Sequence, residues 1–245
     1  MIPRFYVVAE AEHELQNPTS EDKLLALGRR LGLGPESRVL DIASGRGGPA
    51  LLLAREFGCT IEGVEIAPEF HAVAEERIAA AGLQELVTFR LADASQETLP
   101  AGAYDAALCL GASFVWGGLA GTLDVLEPAV RAAGSVAVGE PYWRRLPLPE
   151  GYEDRGEPFT TLEGTVDVFE SGGLRAVSMI ASSDDDWDRY ETLHWHAVER
   201  WLAENPEDPE ASEIEARYRQ EKRKYLRFGR EYLGWAIVVG WRPPR

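Results

Sequence analysis

Lysine is scarce in this chain of 245 residues: Lys23, Lys222 and Lys224 are the only ones, and arginine supplies the rest of the 25 basic residues. That reads as a compositional preference for arginine, with salt adaptation as a weaker reading. Forty-one acidic residues outweigh the basic ones and set the net charge at −16. Nucleic-acid backbones attract basic surfaces, so a nucleic-acid partner is not expected, and an anionic membrane surface is disfavoured on the same ground. Cysteine is almost absent. Cys59 and Cys109 fall at or in predicted strands and read as reduced core thiols. No C-x-x-C and no local His/Cys cluster is present, so no metal is expected. No apolar run approaches membrane-spanning length. The opening Met1-Ile2-Pro3-Arg4-Phe5 lacks the apolar core of a signal peptide, so a cytoplasmic protein is expected. Repeats and low-complexity tracts are missing too. A hydrophobic content of 45% is ordinary for a packed globular chain, and the length suits one α/β domain over 1–245.

What is present is concentrated between Val39 and Pro49. Val39 to Ile42 is a short apolar run of the kind that forms a buried parallel strand. Gly45, Gly47 and Gly48 permit positive φ and close approach of a ligand to the backbone. Gly48-Pro49 suits a helix N-cap and first turn, and the spacing predicts a helix through Phe57, stopped by Gly58. Strand, glycine turn and helix start together form a site for a nucleotide-like ligand.

Gly45-Arg46-Gly47-Gly48-Pro49-Ala50 fits the dinucleotide pattern G-x-G-x-x-A, but that match alone is weak. Asp41, four residues before Gly45, would repel a pyrophosphate and would attract a ligand carrying positive charge. Two further acids follow. Thr60 to Val64 reads as a second strand ending in Glu65, placed to accept both hydroxyls of a ribose. Val87 to Leu91 reads as a third strand followed by Asp93, placed to accept from an adenine amino group. Any one such acid is more often a loop cap or a solvated charge; three at successive strand ends behind a glycine loop are not. A sulfonium nucleoside such as S-adenosylmethionine fits the set.

The pattern Asp41-x-Ala43-x-Gly45-x-Gly47, with Glu65, Asp93 and Tyr104-Asp105-Ala106-Ala107-Leu108-Cys109-Leu110-Gly111, resembles class I S-adenosylmethionine-dependent methyltransferases. Within them the chain is most similar to a group of small bacterial enzymes. That likeness extends to Glu12-His13 with Asn17-Pro18, Gly111 to Gly118, Gly139 to Arg144, Asp186 to Tyr190 and Arg230 to Trp235. Ala43 departs from the family, which often has glycine there. The resemblance implies S-adenosyl-L-methionine as cofactor and a seven-stranded, mostly parallel Rossmann-like sheet flanked by helices. It places cofactor contacts at Asp41, Ala43, Ser44, Gly45, Gly47, Glu65, Ile66, Asp93, Ala94, Leu110 and Gly111. It does not give the substrate.

Strand–helix alternation predicts the rest of the sheet. A helix is expected from a capping box at Thr19 and Asp22 to about Leu31. Strands are expected at Tyr104–Leu110, Ser135–Gly139, Leu174–Ala181 and Gly234–Trp241, with a helix from Gly118 to about Ala132 and a long irregular loop from Glu140 to Thr161. Between the last two strands, Trp187, Tyr190, His194, Ala197 and Trp201 recur at helical spacing, and a second helix is expected from about Pro209 to Tyr232. The segment 183–233 is expected to be a helical insertion that closes over the site as a lid, although its aromatic stripe could equally pack it on the body.

Methyl transfer needs alignment more than dedicated acid–base chemistry. Should a base be required, Glu140 is best placed, just past the fifth strand, and otherwise serves to fix a turn; His13 is a second candidate, as base or as a contact to the cofactor. Ser113, Trp116, Tyr142, Trp143, Trp187 and Tyr190, with Phe114, are the candidate acceptor residues, since small-molecule pockets are mostly apolar and aromatic. The expected function is methyl transfer to N, O or S of a small molecule. The rivals are an NAD-dependent oxidoreductase, for which no Tyr-x-x-x-Lys stands outside the inserted helices, and a non-catalytic S-adenosylmethionine sensor.

Overall fold

The computed structural model describes residues 2–152 and 159–244. In chain order the elements are α1 (Arg4–Ala9), α2 (Glu21–Leu31), β1 (Arg38–Ile42), α3 (Gly48–Phe57), β2 (Thr60–Glu65), α4 (Pro68–Ala81), β3 (Val87–Leu91) and β4 (Tyr104–Leu110). Then come α5 (Leu119–Ala129), β5 (Val130–Trp143), α6 (Leu162–Ser171), β6 (Arg175–Ala181), α7 (Asp184–Glu204), α8 (Ala211–Lys224), α9 (Arg230–Tyr232) and β7 (Leu233–Trp241). The seven strands form one sheet in the order β3-β2-β1-β4-β5-β7-β6. Pairing is parallel from β3 through β5, and β7 runs antiparallel to both β5 and β6.

Alternation along the strands divides the core into two layers. Val39, Ala106, Leu108, Ala137, Ile237 and Val239 pack with Leu24 and Leu27 of α2 and Leu53 of α3 on one face. Leu40, Ile42, Ala107, Cys109, Val136, Val138 and Val238 pack with Leu123 and Leu126 of α5 and Phe169 of α6 on the other. Both cysteines are buried free thiols. The strand order reverses between β1 and β4, and in an open α/β sheet a ligand sits in the crevice at the carboxyl ends of such a pair.

Four sequence expectations need correction. The N-cap of α2 is Ser20, whose hydroxyl accepts from the Lys23 amide at 3.4 Å, so the cap lies one residue beyond Thr19. The helix expected to reach Ala132 stops at Ala129, where Val130 turns extended and pairs with Tyr104. The strand expected to end at Gly139 runs on to Trp143, because β7 continues to pair with it, from Glu140 opposite Ala236 to Trp143 opposite Leu233. Pro141 is tolerated there because β4 ends opposite Gly139, leaving no ladder on that side for its missing N–H to serve. The sequence reading carries no counterpart of α1 or α6. The segment read as one helix to Tyr232 is α8, a π-helical turn at Tyr225–Gly229 and α9. The expected loop's residues 153–158 lie outside the described residues.

Candidate functional site: an acid-lined glycine turn at the sheet switch point

Beyond β1 the backbone enters the left-handed region at Ala43 (φ 53°), Gly45 (φ 57°) and Gly47 (φ 73°). Glycine adopts this conformation freely, whereas alanine at position 43 costs on the order of 1 kcal/mol. Gly47 caps α3, whose first residues are Gly48 and Pro49. The turn is held by Glu65 at the end of β2. One carboxylate oxygen accepts from the Gly45 amide and the other from the Ala67 amide, each at 2.8 Å. Burial raises the Glu65 carboxyl above its ordinary range, against the lowering effect of these amides.

Asp41 lies beside it, 2% exposed. Burial, and then the neighbouring charge of Glu65, push its carboxyl up to about 7. Asp41 Oδ2 and the Ser44 hydroxyl are buried with no hydrogen-bond partner among the described residues. Two buried acids and two orphaned oxygens at the ends of two adjacent strands are costly unless a donor or cation joins them. On the far side of Glu65, Ile66 and Leu91 expose apolar side chains (41% and 52%), next to buried Ala94. Asp93 caps the turn there, one oxygen accepting from the Ser95 amide (2.9 Å) and hydroxyl (2.7 Å), which hold its carboxyl below its ordinary range. That leaves the second Asp93 oxygen for a donor.

The chain preceding α2 lies on this turn. A Cβ at Gly48 would come within 2.0 Å of the Glu14 carbonyl, and one at Gly45 within 2.2 Å of Gln16 Oε1. Gln16 Oε1 accepts from the Arg46 amide at 2.6 Å, and Asn17 donates to the Leu110 carbonyl at the end of β4 at 3.0 Å. Gly111 follows in left-handed conformation (φ 86°), its absent Cβ making room for Asn17. Gln16 and Arg46 were not singled out from sequence: Gln16 belongs to no motif, and Arg46 occupies a variable position of the glycine turn.

A methyltransferase-domain family model matches residues 39–132. The chain is 36% identical to protein YjhP of Escherichia coli K12 over 244 residues, covering 97% of this chain and 98% of that one. The structure of an S-adenosylmethionine-dependent methyltransferase from Geobacter sulfurreducens, in complex with S-adenosyl-L-homocysteine, superposes with a TM-score of 0.92 at 36% identity, covering 100% of this chain and 99% of the other. The chain belongs to the S-adenosylmethionine-dependent methyltransferases. A second such structure, from Thiobacillus denitrificans and also with S-adenosyl-L-homocysteine, gives 0.91 at 35% identity over 98% of both chains. The cofactor is S-adenosylmethionine, and the orphaned oxygens of Asp41 and Ser44 suit a ligand bearing cationic and N–H groups. The dinucleotide reading of the glycine turn is set aside.

Other candidate residues of this methyltransferase are spread more widely. Glu140 is 9% exposed on β5, close enough that its charge, after burial, raises the Cys109 thiol. Ser113 is buried, with its carbonyl accepting from the Thr122 hydroxyl at 3.1 Å, Trp116 is half-buried against the α5 core, and Phe114 is 75% exposed. Tyr142 and Trp143 lie in the strand and not in a loop. Tyr142 covers Gly234, and Trp143 is packed edge-on against Tyr152 and Phe159 with ring centroids 5.6 Å away in each case. Trp187 stacks on Tyr225 at 6.3 Å within the core. Tyr190 donates its hydroxyl to Glu10 at 3.0 Å. His13 is 1% exposed, its Nε2 2.9 Å from the Tyr190 carbonyl, so the structure groups it with α7.

The helices between β6 and β7 bind to the N-terminal segment. Ser182 bonds to the Pro18 carbonyl, Arg189 to the Thr19 carbonyl and Lys23 to Asp186. A capping box between Ser183 and Asp186 starts α7. Val8 and Ala9 of α1 pack with Val198, Ile214 and Tyr218.

Proposed function

We propose that this methyltransferase acts on a small-molecule acceptor held in an enclosed site. What supports this is a continuous cover. Residues 14–17 rest on the glycine turn and on the end of β4, and residues 13, 18 and 19 are bonded to the segment from Ser182 to Tyr190. A cover joined in this way to the cofactor loop leaves little room for a polymer and excludes water from the reacting atoms. The acidic balance of −16 points away from a nucleic-acid acceptor.

The residue roles follow from position. Glu65 takes the ribose hydroxyls. Asp41, with Ser44 and the Ala43–Gly47 backbone, takes the methionine end. Ile66, Leu91 and Ala94 flank the adenine, whose amino group meets Asp93, while Leu110 and Gly111 supply backbone at the end of β4. When bound, S-adenosylmethionine supplies an activated methyl group, and the chain orients the acceptor in line with it. Glu140, just past the point on β5 where its pairing with β4 ends, is the group that would take a proton from a protic acceptor. Ser113, Phe114 and Trp116 form the acceptor rim, and α7 with α8 form the lid. Trp143 and Trp187 shape the site from behind and do not touch the acceptor.

Release of S-adenosylhomocysteine tests this reading. It should appear when the low-molecular-mass fraction of a cell extract is added, and not with the dialysed macromolecular fraction. Release only with the macromolecular fraction would overturn the small-molecule assignment; binding without release under any addition would favour a sensor.

A further inference from the structure

A second polar cluster lies where the end of α1 meets α7, near enough to the cofactor turn for Glu10 to act by charge on Arg46. We propose that Glu10, His13 and His194 bind a divalent first-row transition-metal ion. The His13 side chain is fully buried and that of Glu10 is 8% exposed. His13 Nε2 lies 2.9 Å from the Tyr190 carbonyl, which can only accept, so the ring proton sits on Nε2. Nδ1 therefore presents a lone pair. It faces Glu10 Oε2, another acceptor, at 3.5 Å, and neither atom has a hydrogen-bond partner among the described residues. That separation exceeds a normal N–H···O bond, yet it is close to the ligand–ligand edge of a zinc tetrahedron, about 3.3 Å for bonds of about 2.0–2.1 Å.

His194 is the third ligand. Its Nε2–H donates to Glu10 Oε1 at 2.9 Å, a proton that the metal would displace, and one donor atom from each of the three residues lies within 4.8 Å of the others. Supporting contacts have the form expected around metal ligands, which usually pass their second ring N–H to a carbonyl or carboxylate. The Tyr190 carbonyl fixes His13, and the Tyr190 hydroxyl donates to Glu10 Oε1. Glu191, half-buried beside His194, adds a second carboxyl group. A dication would neutralise the pair. Of the cations lining the cavity, Arg217 donates to the Tyr6 hydroxyl at 2.8 Å and Lys222 to the Tyr218 hydroxyl at 3.0 Å, while Arg46 and Arg189 act by charge on Glu10 and His13 from the other side. A cavity of about 160 Å³ reaches Glu10, Glu191 and His194, leaving room for water or an oxygen ligand at an open position. Two imidazoles and a carboxylate suit zinc, iron(II) or cobalt(II) better than magnesium or calcium.

The test uses the full-length protein, stripped by a chelator and titrated with Co²⁺, read by visible absorption and by elemental analysis after desalting. One metal per chain is expected, displaced by Zn²⁺. His194→Gln and Glu10→Gln should each weaken binding by at least about a hundredfold. His196→Ala, which removes an exposed histidine on the same helix, should leave binding unchanged. Calorimetric titration with S-adenosylhomocysteine shows whether each variant is folded. No cobalt spectrum in the parent, or equal losses in His194→Gln and His196→Ala, would overturn the proposal.

Discussion

Replacing Asp41 with asparagine isolates the electrostatic cost built into the cofactor turn. The carboxyl is buried, and its pKa rises from 3.8 to about 7. A folded-state value above the unfolded one means that the folded protein holds a proton that the unfolded chain releases, so without ligand the parent loses stability as pH rises through that window. At about 1.4 kcal/mol for each tenfold change in proton activity, the loss between pH 5 and pH 7 is about 2–3 kcal/mol, and it levels off above. Asparagine cannot titrate. Its amide has its own burial cost, about 1–3 kcal/mol if unpaired, but that cost does not change with pH and cancels from the comparison. Urea unfolding of both proteins without cofactor at pH 5 and pH 8 should therefore show the difference moving in the variant's favour by about 2–3 kcal/mol. Binding should move the other way: a cationic ligand favours the ionised carboxylate, so parent affinity for S-adenosylmethionine should rise with pH more steeply than that of Asp41→Asn, in which only Glu65 still titrates at the turn. Parallel stability curves across this range would refute the reasoning.

Glu65→Ala should weaken S-adenosylmethionine by about 1.5–3 kcal/mol, the scale of hydrogen bonds to a charged group, and should also lower stability, because the Gly45 and Ala67 amides lose their acceptor; unchanged calorimetric affinity would remove Glu65 from the site. Trp143→Ala should cost about 3–5 kcal/mol of stability, as large core truncations do, because the ring is packed against Tyr152 and Phe159; a stable variant with only a raised KM for the acceptor would restore Trp143 to the pocket wall. Hydrogen exchange in α7 and α8 should slow when cofactor and acceptor are both bound, and equal exchange in both states would make the insertion a fixed structural element.

The candidate cofactor turn was legible in sequence because it is local. Asp41, the glycines and Glu65 fall within one strand–turn–helix–strand run, and each strand-end acid announces itself by following an apolar stretch. Long-range pairing was not legible. Glu140 to Trp143 read as loop since Pro141 breaks a strand pattern, and only an antiparallel partner arriving from Leu233 to Ala236 makes it strand. For the same reason Tyr142 and Trp143, expected in a loop at the mouth, lie in the strand instead. The cluster of Glu10, His13 and His194 joins the two ends of the chain and leaves no spacing motif. The cover over Gly45 and Gly111 depends on Gln16 and Asn17, polar residues that only tertiary contact makes informative.

Methyl transfer itself is tested most directly by following the label. S-adenosylmethionine carrying a ¹³C-methyl group, incubated with the protein and a low-molecular-mass extract, should yield a small molecule heavier by one labelled methyl, in step with S-adenosylhomocysteine. Absence of that product with parent protein that binds the cofactor, or label recovered only on protein or nucleic acid, would contradict the account.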